Sequence, residues 1–440
     1  MLNSQLLTNP LNLLNPKNNS TIFSCIKNKV FCSIKDYIKS KLLSGTVGYL
    51  EYTDIDGTKY EIGNKDSELK TSIKILNPKF YTRLFWWGPN GFAESYLRNE
   101  WQCNELYSTI SYFILNFQDK ALLDNYKNKD KLLINILKPL NKLIHFTKVN
   151  SISGARKNIA YHYDLGNDFF KTFLDQTLTY SSGIYHTNND RLNTAQINKY
   201  EAIIQKLNIK PDHSVLEIGS GWGGFSMYLA KNYGCNITTT TISKEQYQYV
   251  KEAIKQNKLE SKIKIMLEDY RKITGLFDRI VSIEMIEAVG DRYYEDFYKT
   301  CSTLLTTNGL LVIQMILSPD SRYDLIKTNV DFIQKYIFPG SLIPSLHRLN
   351  TATKTVSDLN LYTLEDIGNH YVKTLSDWRD NFNKSINEVR QLGFDDRFIR
   401  MWNYYLSYCM AAFATKNITC VQAVYARPNN LNLSDYFSKI

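Results

Sequence analysis

Along the middle of the chain, short apolar or β-branched runs alternate with longer stretches whose apolar residues recur every three or four positions. The runs at 214–218, 236–241, 263–267, 277–283 and 309–315 have the length and branching of buried strands. The stretches at 195–207, 225–233, 243–257 and 293–305 have the period of helices that bury one face. Such alternation predicts a parallel, doubly wound, Rossmann-like α/β sheet. Beyond Met315 it stops. Residues 320–415 read as mostly helical, broken at Phe338-Pro339-Gly340, before a last extended segment at 418–425. Ligands of such sheets bind past the C-terminal strand ends, and an insertion ahead of the final strand is placed to roof them. Its Trp378, Trp402, Tyr404 and Tyr405 suit either a greasy substrate or packing on the sheet.

The N-terminal part has a different pattern. Residues 27–43 have helical spacing, with Val30, Ile34, Tyr37 and Ile38 on one face and lysines on the other. Two strand-like segments, 46–52 and 58–62, flank Asp56-Gly57, a strong hairpin signal. An aromatic cluster, Phe85-Trp86-Trp87, precedes a helical stretch at 95–118. These features predict a small α+β domain over 1–120, a lysine- and asparagine-rich linker helix over 121–150, and a catalytic domain over 151–440. Tryptophan beside lysine suits a membrane interface or an ordinary small core, and both readings stay open here. Residues 1–20 read as loosely attached and not as a secretory signal.

Composition narrows the partners only slightly. The 440 residues are 43% hydrophobic and 22% charged, as in a globular protein. No run reaches the roughly 18 apolar residues of a membrane span. Seven scattered cysteines without a CxxC pair suggest neither disulfides nor a metal site, and a reducing, cytoplasmic setting is the default. The net charge of +10 would draw the protein to an anionic membrane or to nucleic acid, or would simply solvate its surface. The lysines are spread rather than clustered. Ser282-Ile283-Glu284-Met285 stands where a nucleic-acid methyltransferase would carry a Pro-Pro-Tyr type loop, so no nucleic-acid partner is expected.

The sharpest chemistry lies at 215–225. Gly219, Gly221 and Gly224 form G-x-G-x-x-G between a strand and a helix, where backbone N–H groups can surround a ligand. A dinucleotide site would also need a carboxylate at the end of the next strand. That position, 239–241, is all threonine. Glu217 just ahead of the glycines instead makes the Glu-x-Gly-x-Gly opening used for S-adenosylmethionine. The absence of G-x-x-x-x-G-K-[ST] excludes a P-loop.

From about residue 158 onward the chain resembles cyclopropane-fatty-acyl-phospholipid synthases and their mycolic-acid relatives. Its matching stretches are 161–170, 178–182, 215–224, Thr241-Ile242-Ser243-Lys244-Glu245-Gln246, Glu268-Asp269-Tyr270-Arg271, 277–290, 334–340 and Asn369-His370-Tyr371. The resemblance is looser over 1–150. It implies a class I methyltransferase that acts on the cis double bonds of unsaturated phospholipid at the inner face of the membrane, as a peripheral protein. It leaves room for a homodimer. It implies cofactor contacts at Tyr180, Ser181, Gly219, Gly221, Thr241, Ile242 and Gln246, with Asp269 and Tyr270 near the adenine. It also implies a bicarbonate beside the reacting methyl, held by Glu287, Tyr371 and the backbone around Ile316, where it would deprotonate a lipid cation. Two positions depart from the commonest pattern: Ser182 replaces a cysteine and Gln314 a histidine. Both can still hydrogen-bond an anion.

Residue type alone would make Glu287 a cap or surface carboxylate, Tyr371 a core tyrosine, and His162 and His370 structural. A branched methyl lipid, a small-molecule amine acceptor and an inactive binding protein remain the alternatives.

Overall fold

The computed structural model describes residues 16–118 and 165–430, together with Leu433. The expected linker helix, the first residues of the chain and the segment with His162 lie outside the described residues. The chain divides into two compact units, Met1–Glu105 and Leu106–Ile440.

In the first unit, a helix at Pro16–Leu42 accompanies a four-stranded sheet of order β2-β1-β3-β4. Its strands are β1 (Tyr49–Thr53), β2 (Lys59–Gly63), β3 (Lys70–Ile75) and β4 (Trp101–Cys103). The Asp-Gly hairpin forms as expected, pairing Tyr52 with Tyr60. The continuous helix expected at 95–118 does not form. A helix at Lys79–Leu97 ends in a turn with Asn99 at φ +56°, then β4, and the new helix at Leu106–Phe113 opens the second unit. Tertiary packing overrides local periodicity here. Trp101 is fully buried against Phe92 and donates its indole N–H to Ser95 Oγ at 2.9 Å. Trp101 is core, whereas Trp86 of the aromatic cluster is 44% exposed.

In the second unit, seven strands run in the order β10-β11-β9-β8-β5-β6-β7. They are β5 (Ser214–Ile218), β6 (Asn236–Thr241), β7 (Ile263–Leu267), β8 (Phe277–Ile283), β9 (Leu305–Leu317), β10 (Asn360–Asp366) and β11 (Thr419–Ala426). Strands β5 to β9 are parallel, whereas β11 pairs antiparallel with both β9 and β10. The sheet is therefore mixed, and the insertion is not purely helical: β10 comes from inside it. Its sequence, Asn-Leu-Tyr-Thr-Leu-Glu-Asp, is mostly exposed, so it lacks the apolar signal of a buried strand. Alternate side chains of the central strands enter two cores. Leu216, Ile280 and Ile313 face one, and Val215, Val281 and Val312 the other. Each such burial contributes about 1.5–3 kcal/mol before entropy is set against it. The strand order switches direction between β5 and β8, and both strands deliver their C-terminal ends to that crevice.

Candidate active site

The glycine turn follows β5. Gly219, Gly221 and Gly223 have φ of +93°, +49° and +83°, values that side chains disfavour. Gly219 N and Ser220 N donate to Thr240 O at 3.0 and 2.9 Å, which anchors the turn to the neighbouring strand. A Cβ at Gly224 would come within 2.4 Å of Tyr200 Oη, so the helix at Gly224–Tyr233 can pack closely only with glycine there. The other expected cofactor residues follow the adjacent parallel strands. Thr241 Oγ1, at the end of β6, donates to Gln246 Oε1 at 2.8 Å, and Ile242 follows Thr241. Ser243 caps the helix at Lys244–Gln256. After β7, Asp269 forms a two-pronged ion pair with Arg271 at 2.8 and 2.7 Å, and Tyr270 packs edge-on against Phe297. The glycine turn and the next two strand ends thus form one continuous rim.

Glu217 turns toward the sheet. It is buried at the root of the turn, where its Oε2 accepts from Thr239 Oγ1 at 2.6 Å and from Ser226 Oγ. Burial pushes its carboxyl up to about 7 against those two donors. It braces β5 to β6 and to the following helix.

The loop with Tyr180, Ser181 and Ser182 lies against the second half of the sheet. Tyr180 packs against Trp378 at 5.1 Å and Phe170 at 5.5 Å, and its hydroxyl meets that of Tyr405 at 2.7 Å. Ser181 Oγ accepts from Lys199 Nζ at 2.8 Å. Lys199 is wholly buried, and burial pulls its ammonium down to about 8, opposed chiefly by the charge of Glu284.

Three of the residues expected near an anion, Ser182, Gln314 and Tyr371, meet on a side chain. Glu284, in the turn after β8, receives hydrogen bonds on both carboxylate oxygens. Ser182 N donates to Oε1 at 2.9 Å, Gln314 Nε2 to the same oxygen at 2.8 Å, and Tyr371 Oη to Oε2 at 2.7 Å. The Cys420 thiol lies 3.6 Å from Oε1. Gln422 Nε2 donates to Gln314 Oε1 at 3.0 Å, which turns the Gln314 amide toward the carboxylate. Glu284 has φ +49°, a left-handed backbone rare for a residue with a side chain. Ser182 Oγ donates to Gly183 O and contributes its backbone N–H here.

Glu287 sits one turn further on. Its Oε1 accepts directly from Ile316 N, where both were expected to hold a bicarbonate, and its Oε2 is buried with no partner among the described residues. Burial, aided by the charge of Glu284, pushes its carboxyl up to about 8. Tyr371 lies on the helix at Gly368–Lys384, and its ring stacks on Phe413 of the helix at Asp396–Ala414 at 4.3 Å. The two helices of the insertion thereby roof the carboxylates. A Cβ on Gly219 would lie 3.2 Å from Met285 Cγ, so the glycine turn and the Glu284 loop are immediate neighbours. His370 accepts the Tyr185 N–H at 3.3 Å, a structural use. No metal-ligating cluster occurs among the described residues.

Sequence reasoning passed over Glu284, Lys199, Gln422 and Cys420. Only Glu284 left a signal, as one of two carboxylates three residues apart past a strand end.

The family model described as Mycolic acid cyclopropane synthetase matches residues 150–423. The cyclopropane-fatty-acyl-phospholipid synthase of Escherichia coli (strain K12) is 33% identical over 359 residues, spanning 81% of this chain and 87% of that protein. The tuberculostearic acid methyltransferase UfaA1 of Mycobacterium tuberculosis is also 33% identical, over 73% of this chain and 75% of that protein. The structure of mycolic acid cyclopropane synthase CmaA1 complexed with SAH and CTAB aligns with a TM-score of 0.58 and 26% identity. It covers 61% of this chain and 97% of that one.

Proposed function

The chain belongs to the mycolic acid cyclopropane synthetase family of S-adenosylmethionine-dependent lipid methyltransferases, and on that premise we propose its particular reaction. It transfers one carbon from S-adenosylmethionine to the cis double bond of an unsaturated acyl chain in membrane phospholipid, with closure to a cyclopropane. When bound, S-adenosylmethionine supplies an electrophilic methyl group. Gly219 and Gly221 keep side chains away from its place, and Thr241, Ile242, Gln246, Asp269 and Tyr270 would hold its nucleoside half. Tyr180 and Ser181 would close the other side.

Tyr371 carries the proposal. Its hydroxyl bonds the buried carboxylate while its ring belongs to the aromatic roof. An alkene is a weak nucleophile, and its addition leaves positive charge on a chain carbon. Rings such as Tyr180, Trp378 and Phe338 exclude water and present faces worth about 0.5–2 kcal/mol each to a cation. Ring closure then needs a base beside the roof. The residues present do not fit a free bicarbonate, because Ser182 N, Gln314 Nε2 and Tyr371 Oη already donate to Glu284. Deprotonation falls to the chain's own groups.

Incubation with S-adenosylmethionine and vesicles of cis-unsaturated phospholipid should add one CH₂ to the acyl mass, and an unchanged mass would overturn the proposal. A methyl-branched product is the second reading. It is favoured by the likeness to a tuberculostearic acid methyltransferase. Cyclopropane ring protons in the product NMR spectrum separate the two. Peripheral work at the inner membrane face is supported by Trp86 at 44% and Tyr37 at 40% exposure on the N-terminal unit, where such rings suit a lipid interface. No described helix is long and apolar enough to cross a membrane.

A further inference from the structure

We propose that Glu284 is the general base of this enzyme and that its carboxylate takes the place of a bound anion, so that turnover needs no bicarbonate. The inference rests on the one-carbon transfer proposed above and names the group that completes it.

Three observations meet at this residue. Three donors from separate elements, Ser182 N, Gln314 Nε2 and Tyr371 Oη, end on Glu284, within 2.7–2.9 Å. All are donors, so what they cradle is an acceptor with two oxygens in a plane, the shape that a carboxylate and a bicarbonate share. A second anion among the same donors would face the Glu284 charge directly. The backbone at Glu284 has φ +49°, where a side chain is strained and a glycine is at ease. Such strain persists where the surrounding structure holds it, and here the hydrogen bonds do so. Finally, the carboxylate sits between the glycine turn, through Met285 against Gly219, and the aromatic roof, through Tyr371. That is where the new methyl group and the chain cation would meet.

The step balances within the site. The alkene π pair forms a C–C bond to the methyl carbon as the S–CH₃ bond breaks and its pair stays on sulfur. The adjacent chain carbon is left positive. A Glu284 oxygen takes a proton from the new methyl group, and the released C–H pair closes the second C–C bond. The proton leaves to solvent from the neutral Glu284 carboxyl after the product departs.

The test compares the wild-type chain with Glu284→Gly and Glu284→Gln in CO₂-free buffer, with and without added bicarbonate or formate. Wild-type turnover should not depend on bicarbonate. Glu284→Gly, which relieves the φ strain and should fold, should lose about 100-fold or more in kcat and regain a measurable part with either anion. Glu284→Gln keeps the space filled and should stay inactive with both. A second readout needs no turnover: infrared difference spectra with ¹³C-bicarbonate should show a bound ion in Glu284→Gly and none in the wild type. Wild-type turnover that dies without bicarbonate, a bound ion in the wild type, or a Glu284→Gly enzyme at full rate in CO₂-free buffer would overturn the inference. A wild type that modifies no lipid would sink the proposed reaction instead, and the infrared arm would still judge the occupancy of the site.

Discussion

Two turns in this molecule leave neighbouring parallel strands with the same backbone requirement and meet it in opposite ways. After β5 the left-handed positions are glycines, Gly219, Gly221 and Gly223. After β8 the left-handed position is Glu284. A turn meant to let a ligand approach its backbone gains from having no side chains, so glycine is both the relaxed and the functional choice. A turn meant to deliver a carboxylate must accept strain of about 1–3 kcal/mol at a residue with a Cβ. Three strong donors to that carboxylate, at about 1.5–3 kcal/mol each for a charged partner, outweigh it. One unfavourable torsion therefore marks a binding backbone in the first turn and a working side chain in the second.

The largest expected effect comes from giving the first turn a side chain. Gly219→Val places a Cβ at φ +93° and 3.2 Å from Met285. Calorimetry should show S-adenosylmethionine binding weakened about 100-fold or more, and unchanged affinity would mean the ligand does not use this backbone.

Next, Tyr371→Phe removes one donor from Glu284 and keeps the ring stacked on Phe413. It should lower kcat about 10- to 100-fold and leave the Kd for S-adenosylmethionine within about twofold, as single-turnover kinetics and calorimetry can check. A rise in Kd alone would break the division of labour between the turns.

Glu287→Gln should act through pH. The Glu287 carboxyl is raised from an ordinary 4.5 to about 8, so the folded state holds a proton that the unfolded chain has released. Its stabilising share is complete below about 4.5, and it is lost as pH rises to about 8. Tm of the wild type should fall relative to that of Glu287→Gln across this window, and parallel curves would refute the assignment.

The smallest effect is expected at Glu217→Gln, whose amide oxygen can still accept from Ser226 and Thr239. Its window runs from 4.5 to about 7 in the same direction. At pH 5, Tm should shift by about 2 °C or less.

Much of the second unit is legible from local patterns. Buried parallel strands are apolar on both faces, and helices on the sheet show their period, so 214–218 and 277–283 coincide with β5 and β8. The exposed edge strand β10 and the break between Leu97 and Leu106 are not legible, because the first has no apolar stripe and the second depends on where Trp101 finds its core. At the site, the glycines were nameable from their spacing and Tyr371 from the family resemblance. Glu217 was read only as part of the glycine motif and Glu284 was passed over, because side-chain direction decides what each touches. The first points into the sheet and the second into the cradle.

The sequence alone determined that a strand runs through a glycine turn into a helix and that an aromatic-rich insertion follows the sheet, since both are local properties of spacing and residue type. Only the tertiary structure decided which carboxylate the site is built around. Ser182, Gln314, Tyr371 and Cys420 come from a loop, a strand, a helix and the final strand, up to 238 residues apart along the chain. Their hydrogen bonds to Glu284 exist only once the antiparallel β11 and the roofing helices have closed over β8 and β9.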